Sequence, residues 1–289
     1  MSPSSATAGP TPLGQLLSES FTYYKAHFAA FAVGAVVFGV LTGLLGVYTA
    51  GKVQHSVNNM MGGMGMDMQK MEELSERMEA GDETAAQEIQ DLIANGAGAM
   101  NPEAVGMQAM SGIKSMLPFI GFAGLVSLLV SFVAHAYFAL VAVEGKDVNG
   151  TLARAGAVVL PLAGVSVWMF IRSFVWIPFL GWIVAIIVAP RFVASPLIFL
   201  TEGKGITGSV SSSYARTKGY WGKIIGNAIV AGLIMFVITI VIDILAGIVL
   251  SSVMPAMIVF KQIVSQFMIA FMCVFMVRLS HTILQNPRA

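Results

Sequence analysis

Residues 155–200 read AGAVVLPLAGVSVWMFIRSFVWIPFLGWIVAIIVAPRFVASPLIFL. The stretch is 46 residues long and its only charges are Arg172 and Arg191. A hydrocarbon core about 30 Å thick is crossed by about 20 helical residues, so this is too much chain for one crossing and right for two. Pro178 and Gly181 offer a turn, and Trp176 and Trp182 suit a membrane interface beside it. The division therefore falls within 172–181 and gives spans of about 155–175 and 179–200.

Outward from this pair lie four more apolar stretches, at about 28–50, 117–143, 224–250 and 254–277. Backbone groups in lipid must satisfy their own hydrogen bonds, so each is expected as a helix. The expected fold is all-α, a polytopic membrane protein with six transmembrane helices. Composition points the same way. Of 289 residues, 56% are hydrophobic and 11% charged, with mean hydropathy +0.80; a soluble domain carries about 25% charged residues. A net charge of +1 without a dense Lys/Arg block argues against a nucleic-acid partner. One cysteine excludes a disulfide scaffold.

The charges are unevenly placed. Residues 52–115 hold ten acids and four bases, and the other 225 residues hold five acids and twelve bases. The insertion is thus net −6 and reads as facing water. Lys25, Lys146, Arg154, Lys204, Arg216, Lys218, Lys223, Arg278 and Arg288 fall on the side of the termini. Lys52, Lys70, Arg77, Lys114, Arg172 and Lys261 fall on the other, diluted by acids. The positive-inside rule then puts both termini in the cytoplasm of an inner-membrane protein, with 52–115 extracytoplasmic. The first twenty residues hold no Lys or Arg, so no cleavable signal is read there. Residues 1–10 are expected as a disordered tail and 11–289 as the membrane domain.

Two amphipathic helices are expected at the cytoplasmic interface. The first follows an N-cap at Thr11 with Pro12 as its opening residue, and repeats Leu13, Leu16, Leu17, Phe21, Tyr24 and Phe28 at helical spacing. The second covers 206–218, with Ile206, Val210 and Tyr214 on one face and Gly219 as its stop. At an offset of 193 residues, Ser20 aligns with Ser213, Lys25 with Lys218 and Phe28 with Trp221. Within the insertion, helices are expected over 67–80, stopped by Gly81, and from an Asp82 cap to Asn95-Gly96. A third starts at Asn101-Pro102 and runs into the second span, kinked at Pro118.

Candidate functional residues follow from cost. Ionisable side chains at membrane depth are expensive and need partners. His135, Arg172, Arg191 and Asp243 qualify. For Arg191 the expected partners are Glu202, Glu144 or helix-end carbonyls; for Asp243, Arg172 or Lys261; for His135, an interhelical hydrogen bond. Cys273 reads as a small buried apolar residue. Met60, Met61, Met64, Met66, Met68 and Met71 crowd beside His55, and thioethers are soft ligands suited to Cu(I). The weightier reading is methionine as a flexible filler of apolar faces. Gly34 with Gly39, Gly43 with Gly46, and Gly226 with Gly232 mark close-packing spots. Taken in those pairs they lack the four-residue Gly-x-x-x-Gly spacing, and no dimerisation is read from them.

One stretch carries a resemblance: Arg191, Pro196, Glu202-Gly203, then Ser213, Thr217, Lys218-Gly219-Tyr220-Trp221. An arginine late in a span, proline five on, Glu-Gly, and a Ser/Thr helix ending in Gly-aromatic-Trp resembles the membrane domains associated with glycerophosphoryl diester phosphodiesterases and their stand-alone bacterial relatives. The resemblance implies architecture rather than catalysis, because in fused members the chemistry belongs to a separate soluble domain. The acidic insertion departs from that family's compact pattern. The expected function is non-enzymatic: an accessory or organising membrane protein contacting lipids or partner proteins, with no cofactor. No nucleophile–base pair or metal-ligand spacing favours an enzyme. The competing reading is a small-solute or ion transporter working through Asp243, His135 and Arg191.

Overall fold

The computed structural model describes residues 11–63, 68–98, 102–174, 181–250 and 253–286. The expected tail at 1–10, the 175–180 turn, Met64 and Met66 lie outside the described residues. So do the side chains of Met60, Met61, Met68, Met71 and Trp182. Regular structure among the described residues is helical throughout, with no strand. Six helical segments are long and apolar enough to cross a membrane: Phe28–Asn58, Met116–Glu144, Val148–Ser173, Ala185–Glu202, Trp221–Val249 and Met254–Gln285. The chain is a multi-pass membrane protein of the expected all-α class.

The chain forms two compact units, one of residues 1–44 with 128–289 and one of 45–127. In the first, α1 (Leu13–Ala26) is followed by a break at His27, and α2 (Phe28–Gly63) begins at once. The start of α1 differs from expectation by one residue. Pro12 itself is the N-cap, its carbonyl accepting from the Leu16 N–H at 3.0 Å. Proline holds Thr11 out of the helical region. The Thr11 hydroxyl instead meets that of Thr282 at 3.5 Å, and its carbonyl accepts from Lys223 Nζ.

The second and third spans are α5 (Pro102–Glu144) and α6 (Val148–Phe174). Asp147 caps α6, its carboxylate accepting from the Gly150 N–H at 2.8 Å. As expected, α5 is continuous from Pro102 through Pro118. The last two spans are α10 (Trp221–Leu250) and α11 (Met254–Gln285).

The fourth span is not one helix. It consists of α7 (Gly181–Val188), a 3-10 turn (Ala189–Phe192) and α8 (Ser195–Glu202). The break precedes Pro196. Pro190 opens the 3-10 turn, and Pro196 sits in the first turn of α8, where its missing N–H is not needed. Gly203, at φ 65°, ends α8 in the left-handed region, and α9 (Ile206–Arg216) follows. Gly219, at φ 82°, closes the turn after α9, as its position suggested.

Packing in this unit combines aromatic burial with close helix approach. Phe31, Phe138, Phe192 and Phe275 are fully buried. Tyrosine hydroxyls tie helices together: Tyr137 donates to the Ala30 carbonyl and Tyr23 to the Val141 carbonyl, both at 3.0 Å. On α2, Gly39 and Gly43 stand four apart and face the α11 backbone. A Cβ on Gly39 would lie 2.5 Å from Ile263 Cα, and one on Gly43 would lie 2.7 Å from Val259 Cα. This is a Gly-x-x-x-Gly contact made within one chain. Pairing the glycines differently at the sequence level hid it. The span 5 reading is corrected as well: Gly226 and Gly232 have open space around their Cβ positions, because that side of α10 faces away from protein.

In the second unit, α3 (Met68–Glu79) and α4 (Glu83–Gly98) pack as a hairpin around buried Leu74 and Ala85. Gly81 turns the chain at φ 89°, and Asp82 caps α4 by accepting from the Thr84 N–H at 3.0 Å. Helix α4 runs two residues past the expected Gly96 stop. The Thr84 hydroxyl and the Arg77 guanidinium, whose Nη2 lies 2.6 Å away, hold the Asp82 carboxyl down to about 2. A carboxyl with a depressed folded pKa contributes stability that is complete above its unfolded value and lost as pH falls through the folded value. The hairpin is therefore expected to loosen between pH of about 4 and about 2. Distances between spin labels at Glu73 and Gln90 should broaden over that window, and Asp82→Asn should remove the pH dependence. A wild-type distribution unchanged at pH 2 would refute the assignment.

Candidate functional site: a methionine-lined groove beside a broken helix

The broken fourth span leaves backbone carbonyls without helical partners, and hydroxyls from other helices take them. Ser213 on α9 donates to the Arg191 carbonyl at 2.8 Å and accepts from the Ala194 N–H at 3.2 Å. Thr217 Oγ1 lies 2.9 Å from the same Arg191 carbonyl and 2.8 Å from the Ser213 carbonyl, sharing its proton between them. Ser280 Oγ on α11 lies 3.1 Å from the Val193 carbonyl and 2.7 Å from the Met276 carbonyl of its own helix, sharing its proton between them. All three residues are fully buried. The motif residues Arg191, Ser213 and Thr217 thus form one junction, whose work is backbone satisfaction. Pro196 and Gly203 shape the ends of α8 beside it, while Gly219 and Trp221 form the turn into α10.

The junction aims Val193 and Pro196 into a groove of about 460 Å³ between α5, α6, α10 and α11. That size is within the range of about 300–1,000 Å³ typical of small-molecule sites. One face of α11 supplies a wall: Ser265, Met268, Ile269, Met272, Cys273, Met276 and Val277. These recur at three- and four-residue spacing, so the wall is about 18 Å long at 1.5 Å per residue. Met169 and Ser166 of α6, His135 of α5 and Thr239 of α10 complete it. The lining is overwhelmingly apolar, and four of its side chains are methionines, which adapt to irregular shapes.

The intramembrane ionisable residues do not meet. Arg191 stacks on the Tyr214 ring, 4.7 Å from its centroid, rather than pairing with an acid. Its expected partners are already occupied: Glu202 binds Lys204 and Arg216, and Glu144 binds Lys146 and Arg154. Asp243 faces Lys261 at 3.6 Å, bridging α10 and α11, so Lys261 rather than Arg172 is its partner. Arg172 is exposed and makes no ion pair among the described residues. His135 lines the groove, but its hydrogen bond is not interhelical. Nδ1 bonds the Ser131 carbonyl of its own helix at 2.8 Å. Cys273 is a groove-wall residue, consistent with its apolar reading.

Ser166, Thr239, Ser265 and the α11 methionines were missed at the sequence level. Met268, Met272 and Met276 stand at four-residue intervals, a visible signal, but within a helix that is apolar on every side it did not stand out. Among the described residues, no group of three or more His, Cys, Asp or Glu is placed to hold a metal ion. The Met-loop copper hypothesis falls on side chains outside the described set. No family model matches the chain, and neither does any curated protein or solved structure.

Proposed function

We propose that the protein is a non-enzymatic accessory or organising component of the cytoplasmic membrane, holding lipid in the groove beside the broken fourth span. The observation that supports this over ion transport is the occupancy of the helix break. In transporters with discontinuous helices, unwound carbonyls coordinate the coupling cation. Here the Arg191 and Val193 carbonyls are taken by the hydroxyls of Ser213, Thr217 and Ser280. The adjacent groove is apolar, and neither Arg191 nor Asp243 lines it. An uncharged, membrane-dissolved molecule suits it better than an ion.

The orientation proposed is both termini in the cytoplasm. At one end of the first unit α1, the start of α10 and the end of α11 meet through Lys223 on the Thr11 carbonyl, Thr11 beside Thr282 and Arg278 over the Tyr23 ring, which brings two of the bases on the side of the termini together. The likeness of the Arg191–Trp221 segment to phosphodiesterase-associated membrane domains agrees with an accessory role. The test has two arms. Protein extracted in native lipid retains a bound lipid detectable by mass spectrometry, and Thr239→Trp, which fills the groove from its α10 wall, releases it. In liposomes the wild type carries no proton or cation flux; a flux abolished by Asp243→Asn would replace this reading with the transporter.

A further inference from the structure

The groove's polar atoms select among apolar ligands. A backbone carbonyl only accepts, so the contact between His135 Nδ1 and the Ser131 carbonyl at 2.8 Å makes Nδ1 the protonated nitrogen. In the neutral ring, Nε2 is then an acceptor. No protein donor reaches it among the described residues. The Thr239 hydroxyl likewise directs its proton to the Met235 carbonyl at 2.9 Å, leaving its oxygen lone pairs for the groove. Ser166 makes a long contact of 3.5 Å with the Leu162 carbonyl of its own helix. His135 Nε2 is thus an unmatched acceptor in a mainly apolar wall whose other polar groups are the Ser166, Thr239 and Ser265 hydroxyls. An unpaired polar group in contact with hydrocarbon is costly, and a ligand hydroxyl removes that cost.

We infer that the groove binds a membrane-soluble alcohol: an apolar chain along the α11 methionine face, with its hydroxyl donating to His135 Nε2. This rests on the lipid-holding reading above and specifies its ligand class. A carboxylate is excluded on the same grounds, being acceptor-only and charged. An ether or ester lacking a free hydroxyl fits the walls but leaves Nε2 unmatched. The shared chemistry, one hydroxyl on a long apolar body, belongs to straight-chain alcohols and isoprenoid alcohols alike.

The probe is a diazirine-bearing hexadecanol applied to the full-length protein in nanodiscs, with labelled residues mapped by mass spectrometry. Labelling is expected on Met268, Met272 and Met276. Its methyl ether should label about fivefold less, one net hydrogen bond's worth. His135→Leu should bring alcohol and ether to the same level by lowering the alcohol alone. Unlabelled hexadecanol and geranylgeraniol are used as competitors; competition by either supports the inference, and the stronger one identifies the source. The alcohol–ether comparison in the wild type does not depend on any variant folding. Equal labelling by alcohol and ether overturns the hydroxyl inference while leaving lipid binding intact. Failure of every apolar probe to label the α11 face overturns the lipid-holding reading itself.

Discussion

Gly39→Ala lowers the unfolding temperature of the purified protein, while Gly226→Ala does not. Both positions lie within membrane-spanning helices, where alanine replaces glycine with an intrinsic gain of about 1 kcal/mol. What separates them is the surroundings. The new methyl at residue 39 lands 2.5 Å from Ile263 Cα and 2.9 Å from its nitrogen, backbone atoms that cannot rotate away. Helices α2 and α11 must separate, and overpacking of this kind costs about 1–3 kcal/mol. At residue 226 nothing lies within 4 Å, so only the intrinsic gain remains. Gly39→Leu should be worse than Gly39→Ala, and Gly43→Ala should resemble it. The single cysteine, Cys273, allows unfolding to be followed with a thiol-reactive fluorophore. Equal unfolding temperatures for the Gly39 and Gly226 alanine variants would refute the close approach.

The second large effect is a coupling. Thr217→Val alone leaves the Arg191 carbonyl with its Ser213 partner, and Ser213→Ala alone leaves it with Thr217. Thr217→Val should cost about 1 kcal/mol, the net value of one hydrogen bond, and Ser213→Ala about 2 kcal/mol, because the Ala194 N–H loses its acceptor as well. The double variant leaves the buried Arg191 carbonyl with neither hydroxyl. It should therefore cost more than the sum of the singles, with an excess of about 1–2 kcal/mol. Unfolding midpoints in detergent for the four proteins give the cycle. Strict additivity would show that the two hydroxyls do not share the Arg191 carbonyl.

These two features differ in how far the sequence revealed them. The six crossings were legible because hydropathy over about 20 residues needs no tertiary information. Asp82 and Gly81 were legible because capping and left-handed turns are local chemistry. The 3-10 turn was not. Pro196 advertised a break, yet the break lies upstream of it, sustained by hydroxyls 22 and 26 residues further along the chain. Arg191 was recognised as costly, but its stacking on Tyr214 depends on how α9 folds back. For Asp243 the sequence left Arg172 and Lys261 as alternatives, and the packing of α10 against α11 selects Lys261. The groove was the least legible feature. It is a vacancy left by four helices, and its walls come from residues that each look like ordinary span filler.

The methionine wall also has a redox consequence. Met169, Met268, Met272 and Met276 share one groove. Oxidation of a thioether to a sulfoxide turns a flexible apolar side chain into a strongly polar one, reversibly by reductase. Each sulfoxide would add an oxygen acceptor to a surface where His135 Nε2 is already an unmatched acceptor. An oxidised wall would therefore repel hydrocarbon along much of its length and draw in water. If the groove holds lipid as proposed, its occupancy follows the oxidation state of the membrane around it.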